Sequence, residues 1–151
     1  GEKPIFKNFS NANDEFDFLV NEIKQLKENG VLLTDICVVA RTKKLVEDYI
    51  ALFTKDGIKA YAIKRNKADD RSFDGLRIAT MHRVKGLEFK YVFIVAVNNR
   101  IVPLISAINK TDAVSESESI ASEKCLLYVA MTRAQKGVYV TSYGRKSKFL
   151  E

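Results

Sequence analysis

Ile36-Cys-Val-Val-Ala40, closed by Arg41-Thr42, is the stretch whose reading decides the fold. Five apolar residues in succession lack the alternation of a strand with one wet face. A short, wholly apolar strand of this kind is usually covered on both sides, as in parallel sheets. Thr42 has the side chain to cap a helix running to about Asp56, with Leu45, Tyr49, Leu52 and Phe53 on its inner face and Gly57 as its stop. Upstream, Phe16, Leu19, Val20, Ile23 and Leu26 recur at helical spacing over Asp14 to Asn29. Asn13 or Asp14 can cap that helix, and Gly30 ends it.

Downstream, Lys59 to Ile63 reads as a strand, and Lys64 to Gly75 as a charged, apolar-poor loop. Leu76 to Thr80 reads as a second strand, Tyr91 to Val97 as a strongly apolar central one, and Gly137 to Ser142 as the last. The segment from Asn98 to Ser119 is polar and weakly patterned. Ser115 and Glu118 match a capping box for a helix through Cys125-Leu-Leu-Tyr-Val-Ala-Met131, apolar nearly all round and so expected to be deeply buried. Strands and helices alternating in this order predict a single layered α/β domain, 1–151, with a mostly parallel sheet. Ligands of such sheets sit at the carboxyl ends of strands, which directs attention to the segments after Val39, Thr80 and Val97.

Composition narrows the function classes. No apolar run reaches the roughly 20 residues of a membrane span, and no apolar leader opens the chain, so the expectation is a cytoplasmic protein with no membrane partner. A single histidine and two cysteines leave no cluster with metal-ligand spacing, so no metal site is expected. Cys37 and Cys125 both lie in apolar stretches and read as buried free thiols. The net charge of +6 permits nucleic-acid binding without requiring it.

Two segments carry chemistry. Thr80-Met-His-Arg-Val-Lys-Gly-Leu-Glu-Phe89 joins two strands and gathers hydroxyl, imidazole, cations, glycine and carboxylate. Thr80, His82, Arg83 and Lys85 suit phosphate oxygens, and Gly86 frees the backbone. Glu88 suits a sugar hydroxyl, since a carboxylate repels phosphate. The same ten residues also read as a solvated charged turn. In Tyr128-Val-Ala-Met-Thr-Arg-Ala134 an apolar helix ends on Arg133. That arginine suits a phosphate met by a planar fork of donors, and equally an arginine snorkelling at a helix end.

Together, Thr80 to Phe89, the apolar strand after it and Leu127 to Ala134 resemble motifs V and VI of the UvrD/Rep-type superfamily 1 DNA helicases. Asp35 to Thr42 resembles the strand and turn that precede a DNA-contacting region in that family. The likeness runs, with gaps, from about Phe16 to Ser142. It implies the second, C-terminal, of two RecA-like motor domains, of P-loop NTPase type but lacking its own P-loop. ATP then sits in the cleft between the domains, its Mg2+ held by the absent N-terminal motor domain, and single-stranded DNA crosses the top. By that likeness Arg133 is the arginine finger on the γ-phosphate, Glu88 contacts the ribose, and Gly86 shapes the loop. Thr80, His82 and Lys85 lie near the DNA backbone or couple the sites, and Arg41 and Thr42 sit at the DNA track. The implied mechanism is a ratchet in which ATP closes the cleft and hydrolysis opens it.

The departures are specific. No phosphate-binding loop, Walker-B acidic pair or Asn-Tyr-Arg-Ser-Thr segment is present, so the chain reads as part of a longer polypeptide and as inactive alone. The family's large arm subdomain would be inserted where only 64–75 stands. Asn98-Asn99-Arg100 precedes Pro103 where the family often has an acidic residue and glycine. Two other readings stand beside the helicase half: a non-catalytic RecA-like module binding nucleic acid or protein, and a stand-alone α/β enzyme using His82 as acid or base.

Overall fold

The computed structural model describes residues 2–64 and 72–151. In chain order the regular elements are β1 (Ile5–Phe9), α1 (Ala12–Glu28), β2 (Ile36–Ala40), α2 (Lys43–Lys55), β3 (Ala60–Ala62), β4 (Leu76–Thr80), β5 (Phe89–Ile94), α3 (Ala113–Met131) and β6 (Ala134–Tyr143), with three short 3-10 turns. Six strands form one sheet in the order β1-β6-β5-β2-β4-β3, every neighbouring pair parallel.

The all-apolar β2 explains the layering. Its residues alternate faces, as any strand's do. Ile36, Val38 and Ala40 join Leu76, Ile78, Phe93, α1 and α2 in one core. Cys37 and Val39 join Ala79, Val92, Ile94 and α3 in a second core on the opposite side. The sheet is thus sandwiched between helices, and β2 has no wet face to carry polar side chains.

Element ends shift from the sequence expectation for identifiable reasons. Asn11, not Asn13 or Asp14, caps α1: its side-chain oxygen accepts from the Asp14 amide at 2.9 Å. Asp112, not Ser115, caps α3, accepting from the Ser115 amide at 2.7 Å. Both helices therefore begin before the expected residue. β5 ends at Ile94 instead of Val97 because Ala96 turns the chain into a left-handed conformation, φ 53°. On α2, Val46, Tyr49 and Phe53 face the core, whereas Leu52 is 42% exposed. Val46, Tyr49 and Phe53 follow one another at three- and four-residue spacing on one stripe, and Leu52 lies about 100° round the axis from Phe53, off that stripe. α3 packs as a one-sided rod: Leu126, Leu127 and Ala130 are buried, while Tyr128 is half-exposed and Cys125 exposed. Cys37 is buried, so one of the two thiols is solvent-facing. β1 is an added edge strand on β6, absent from the sequence expectation; four of its five residues are exposed. The expected loop of 64–75 lies mostly outside the described residues.

Candidate functional site at the two edges of the sheet

Parallel strands give the sheet two unlike edges, and the candidate residues divide between them. At the carboxyl edge, Ala40 pairs with Thr80, so Arg41, Thr42, Thr80 and His82 leave the sheet side by side. Residues 81–88 then cross the α3 face of the sheet, over β2, to start β5. Met81 and Val84 anchor that crossing in the core. It delivers Glu88 to the amino edge, where Phe89 pairs with Ala134 and the Phe89 amide donates to the Arg133 carbonyl at 2.9 Å. α3 runs back over the same face and ends beside that point. The two groups are separated by the depth of the strands, roughly 15 Å. The segments after Val39, Thr80 and Val97 lie at the carboxyl edge, whereas Glu88 and Arg133 lie at the opposite one.

At the amino edge, Arg133 is half-buried. Its Nε donates to the Val129 carbonyl at 3.3 Å and its Nη2 to the Thr132 hydroxyl at 3.1 Å, holding the guanidinium over the end of α3. Glu88 is exposed and accepts from Gln135 Nε2 at 3.1 Å. Gly86 has φ 78°, and a Cβ there would meet nothing within 4 Å. The glycine is needed for its backbone angle, in open surroundings. Beside Arg133, Tyr128, Met131, Thr132 and Val138 line a cleft of about 260 Å³.

At the carboxyl edge, Arg41 is 9% exposed and forms a two-pronged ion pair with Glu123 of α3: Nε to Oε1 at 2.9 Å and Nη2 to Oε2 at 2.8 Å. Glu123 Oε1 also accepts from the Leu104 amide at 2.8 Å. Burial pushes the Glu123 carboxyl up, but the Arg41 hydrogen bonds, the Leu104 amide and the Arg41 charge outweigh it and hold the group below its usual range. Thr42 Oγ1 accepts from the Leu45 amide and Thr80 Oγ1 from the Arg83 amide, each at 3.2 Å. A hydroxyl that accepts locally still has its proton to donate outward. His82 is exposed at its tip. Partial burial and then the Arg41 charge depress its pKa below 6.5, with Glu123 offsetting part, so the ring is neutral at pH 7. Lys85 is exposed within the crossing segment.

Three features escaped the sequence reading. Glu123 is one. A second is a cleft of about 490 Å³ at the carboxyl ends of β5 and β6, where Arg100, Arg145 and Lys148 surround Ile105, Ile120 and Phe149. The third is Glu15 on α1, fully buried. It accepts from Tyr49 Oη, from the Ala96 amide at 2.9 Å and from Thr141 Oγ1 at 2.9 Å. Among the described residues no group of three His, Cys, Asp or Glu side chains could hold a metal ion. No described helix is long and apolar enough to cross a membrane.

An all-parallel sheet with helices on both faces defines a layered α/β domain. The model of the UvrD-like helicase C-terminal domain matches residues 55–145, and the chain belongs to that family. It is 33% identical over 121 residues to YjcD of Bacillus subtilis (strain 168), covering 80% of this chain and 15% of YjcD. It is 39% identical over 77 residues to the ATP-dependent DNA helicase Rep of Buchnera aphidicola subsp. Schizaphis graminum, covering 47% of this chain and 11% of Rep. The chain thus spans only about a tenth to a seventh of the length of these relatives. The crystal structure of the C-terminal domain of a possible DNA helicase from Lactobacillus plantarum WCFS1 superposes with a TM-score of 0.72 at 17% identity, over 99% of this chain and 80% of that one. At that identity the likeness is one of fold.

Proposed function

We propose that this chain is the C-terminal RecA-like motor domain of an ATP-dependent DNA helicase or translocase, working with an N-terminal motor domain of the same polypeptide. The single observation that carries the reading is the division of the candidate residues between the two edges of one rigid sheet. A motor must bind nucleotide and track at separate places and couple them through something stiff.

On this reading, the amino edge faces the nucleotide. Arg133, held against Val129 and Thr132, offers its outer guanidinium donors to the γ-phosphate, where charge builds up during transfer. Glu88 accepts from a ribose hydroxyl, and Gly86 gives the loop its left-handed turn. The Mg2+ and the phosphate loop belong to the N-terminal domain. ATP supplies the phosphoryl group and the energy of the cycle.

The carboxyl edge faces single-stranded DNA. Thr42 and Thr80 have hydroxyl protons to donate to phosphate oxygens, His82 and Lys85 stand next to them, and the basic cleft with Arg100, Arg145 and Lys148 continues the line. Arg41, paired with Glu123, adds charge from beneath. Contacts of this kind read backbone and stacked bases, not sequence. ATP closes the cleft because Arg133 gains its partner only there; hydrolysis removes the partner, and the altered grip on DNA makes the step.

The test is DNA-stimulated ATP hydrolysis by the full-length polypeptide with and without Arg133→Ala. A fall of about 10³-fold or more with ATP binding retained is the expected result. An unchanged rate, or a full-length chain with no ATPase, rejects the motor and leaves a RecA-like binding module.

A further inference from the structure

Glu123 is a buried carboxylate with three donors on it, and it belongs to neither group of candidate residues. It sits at the carboxyl edge, 4% exposed, on the helix that ends at Met131, two residues before Arg133. Along α3 the nine residues from Glu123 to Met131 span about 12 Å, eight steps of the helix. Leu126, Leu127 and Ala130 weld that stretch to the sheet. The other partners of Glu123 come from elsewhere: Arg41 from the end of β2, and the Leu104 amide from the segment after β5 that lines the basic cleft.

We propose that Glu123 is a positioning residue that couples the two edges: by clamping Arg41 and the 98–105 segment onto α3, it passes a displacement of Arg41 at the carboxyl edge to the helix that leads into Arg133. The inference rests on the motor reading above. Its physical basis is that a buried anion cannot be left unpaired cheaply. If a phosphate draws Arg41 outward, Glu123 must follow, and α3 with it. No other cation pairs with Glu123 among the described residues, so its charge has no substitute partner. The coupling therefore passes through a named pair with two arrangements, Arg41 on Glu123 alone or Arg41 shared with phosphate.

The experiment uses the full-length polypeptide with Glu123→Gln, which keeps the shape and an acceptor for Leu104 but removes the charge. Four quantities are read: the ATPase rate without DNA, the rate at saturating single-stranded DNA, nucleotide affinity, and Tm. The expected result is a stimulation ratio at least about 5-fold lower with basal rate and nucleotide affinity unchanged. An unchanged ratio overturns this inference while leaving the motor reading intact. Basal and stimulated rates that fall in equal proportion also overturn it, because they show a merely structural role. A native protein without DNA-stimulated ATPase overturns both. Should the glutamine variant fail to fold, Glu123→Asp keeps the charge and shortens the reach, and the same ratio decides.

Discussion

Two buried carboxylates, Glu15 and Glu123, show how burial and partners set charge at single residues. Glu15 has three donors but no cation. Burial dominates and raises its pKa above 4.5, against the hydrogen bonds of Tyr49, Ala96 and Thr141. A raised folded-state pKa means that its stabilisation is complete below pH 4.5 and is lost as pH climbs through the folded value. Glu15→Gln should therefore flatten the fall in Tm expected of the wild-type chain as pH rises from 4.5 through the folded value. Glu15→Leu should cost about 1–3 kcal/mol for each stranded donor, read by urea unfolding. Glu123 is the opposite case: its pKa is lowered, so its contribution is present above 4.5 and is lost as pH falls through the folded value. Arg41→Ala strands that carboxylate and should cost about 3–5 kcal/mol at pH 7, with a smaller penalty in acid once the pH has fallen through the folded value of Glu123. An equal loss at both pH values would rule out the ion pair as the cause. Neither glutamate is hidden in principle. Glu15 lies four residues before Leu19 and Glu123 four before Leu127, each on the buried stripe of its helix. A carboxylate at an apolar-face position is the signal, although the sequence does not say which partner meets it.

At the scale of the element, the caps are local and were largely legible. Thr42 caps α2 as its position before a helical pattern predicts, and Thr42→Ala should lower the Tm of the chain by about 2–4 °C while Thr42→Ser does not. Asn11 and Asp112 were missed because several Asn, Asp and Ser residues compete near each start, and the winner is set by where the preceding strand or loop releases the chain. α3 was misread for a different reason. Its apolar run suggested burial all round, but the sheet offers it one face only, leaving Tyr128 and Cys125 outward. A thiol reagent added to the folded 151-residue chain should modify one cysteine quickly and the second only on unfolding. Two fast thiols would place Cys37 outside the core.

For the whole molecule, the net charge is +6, and Arg100, Arg145 and Lys148 line one cleft at the carboxyl ends of β5 and β6. The isolated chain should bind single-stranded DNA weakly, with log affinity falling linearly in log salt at a slope of about −0.7 for each phosphate neutralised. Salt-independent binding would contradict a phosphate track. On the proposed reading, in which the phosphate loop belongs to another domain, it should hydrolyse no ATP. The apolar stretches Ile36 to Ala40 and Tyr91 to Ile94, with helical patterns between strands, determined the α/β class and the parallel sheet, because periodicity and burial are properties of local sequence. The family was likewise legible in the sequence, and its model matches residues 55–145. What only the tertiary structure decided is where those segments end up: Glu88 and Arg133 at one edge, Thr42, Thr80 and His82 at the other, and Arg41 locked to Glu123, 82 residues away in sequence. Such placements depend on strand order and on the direction in which residues 81–88 and α3 cross the sheet. These are set by long-range packing, which no local pattern encodes.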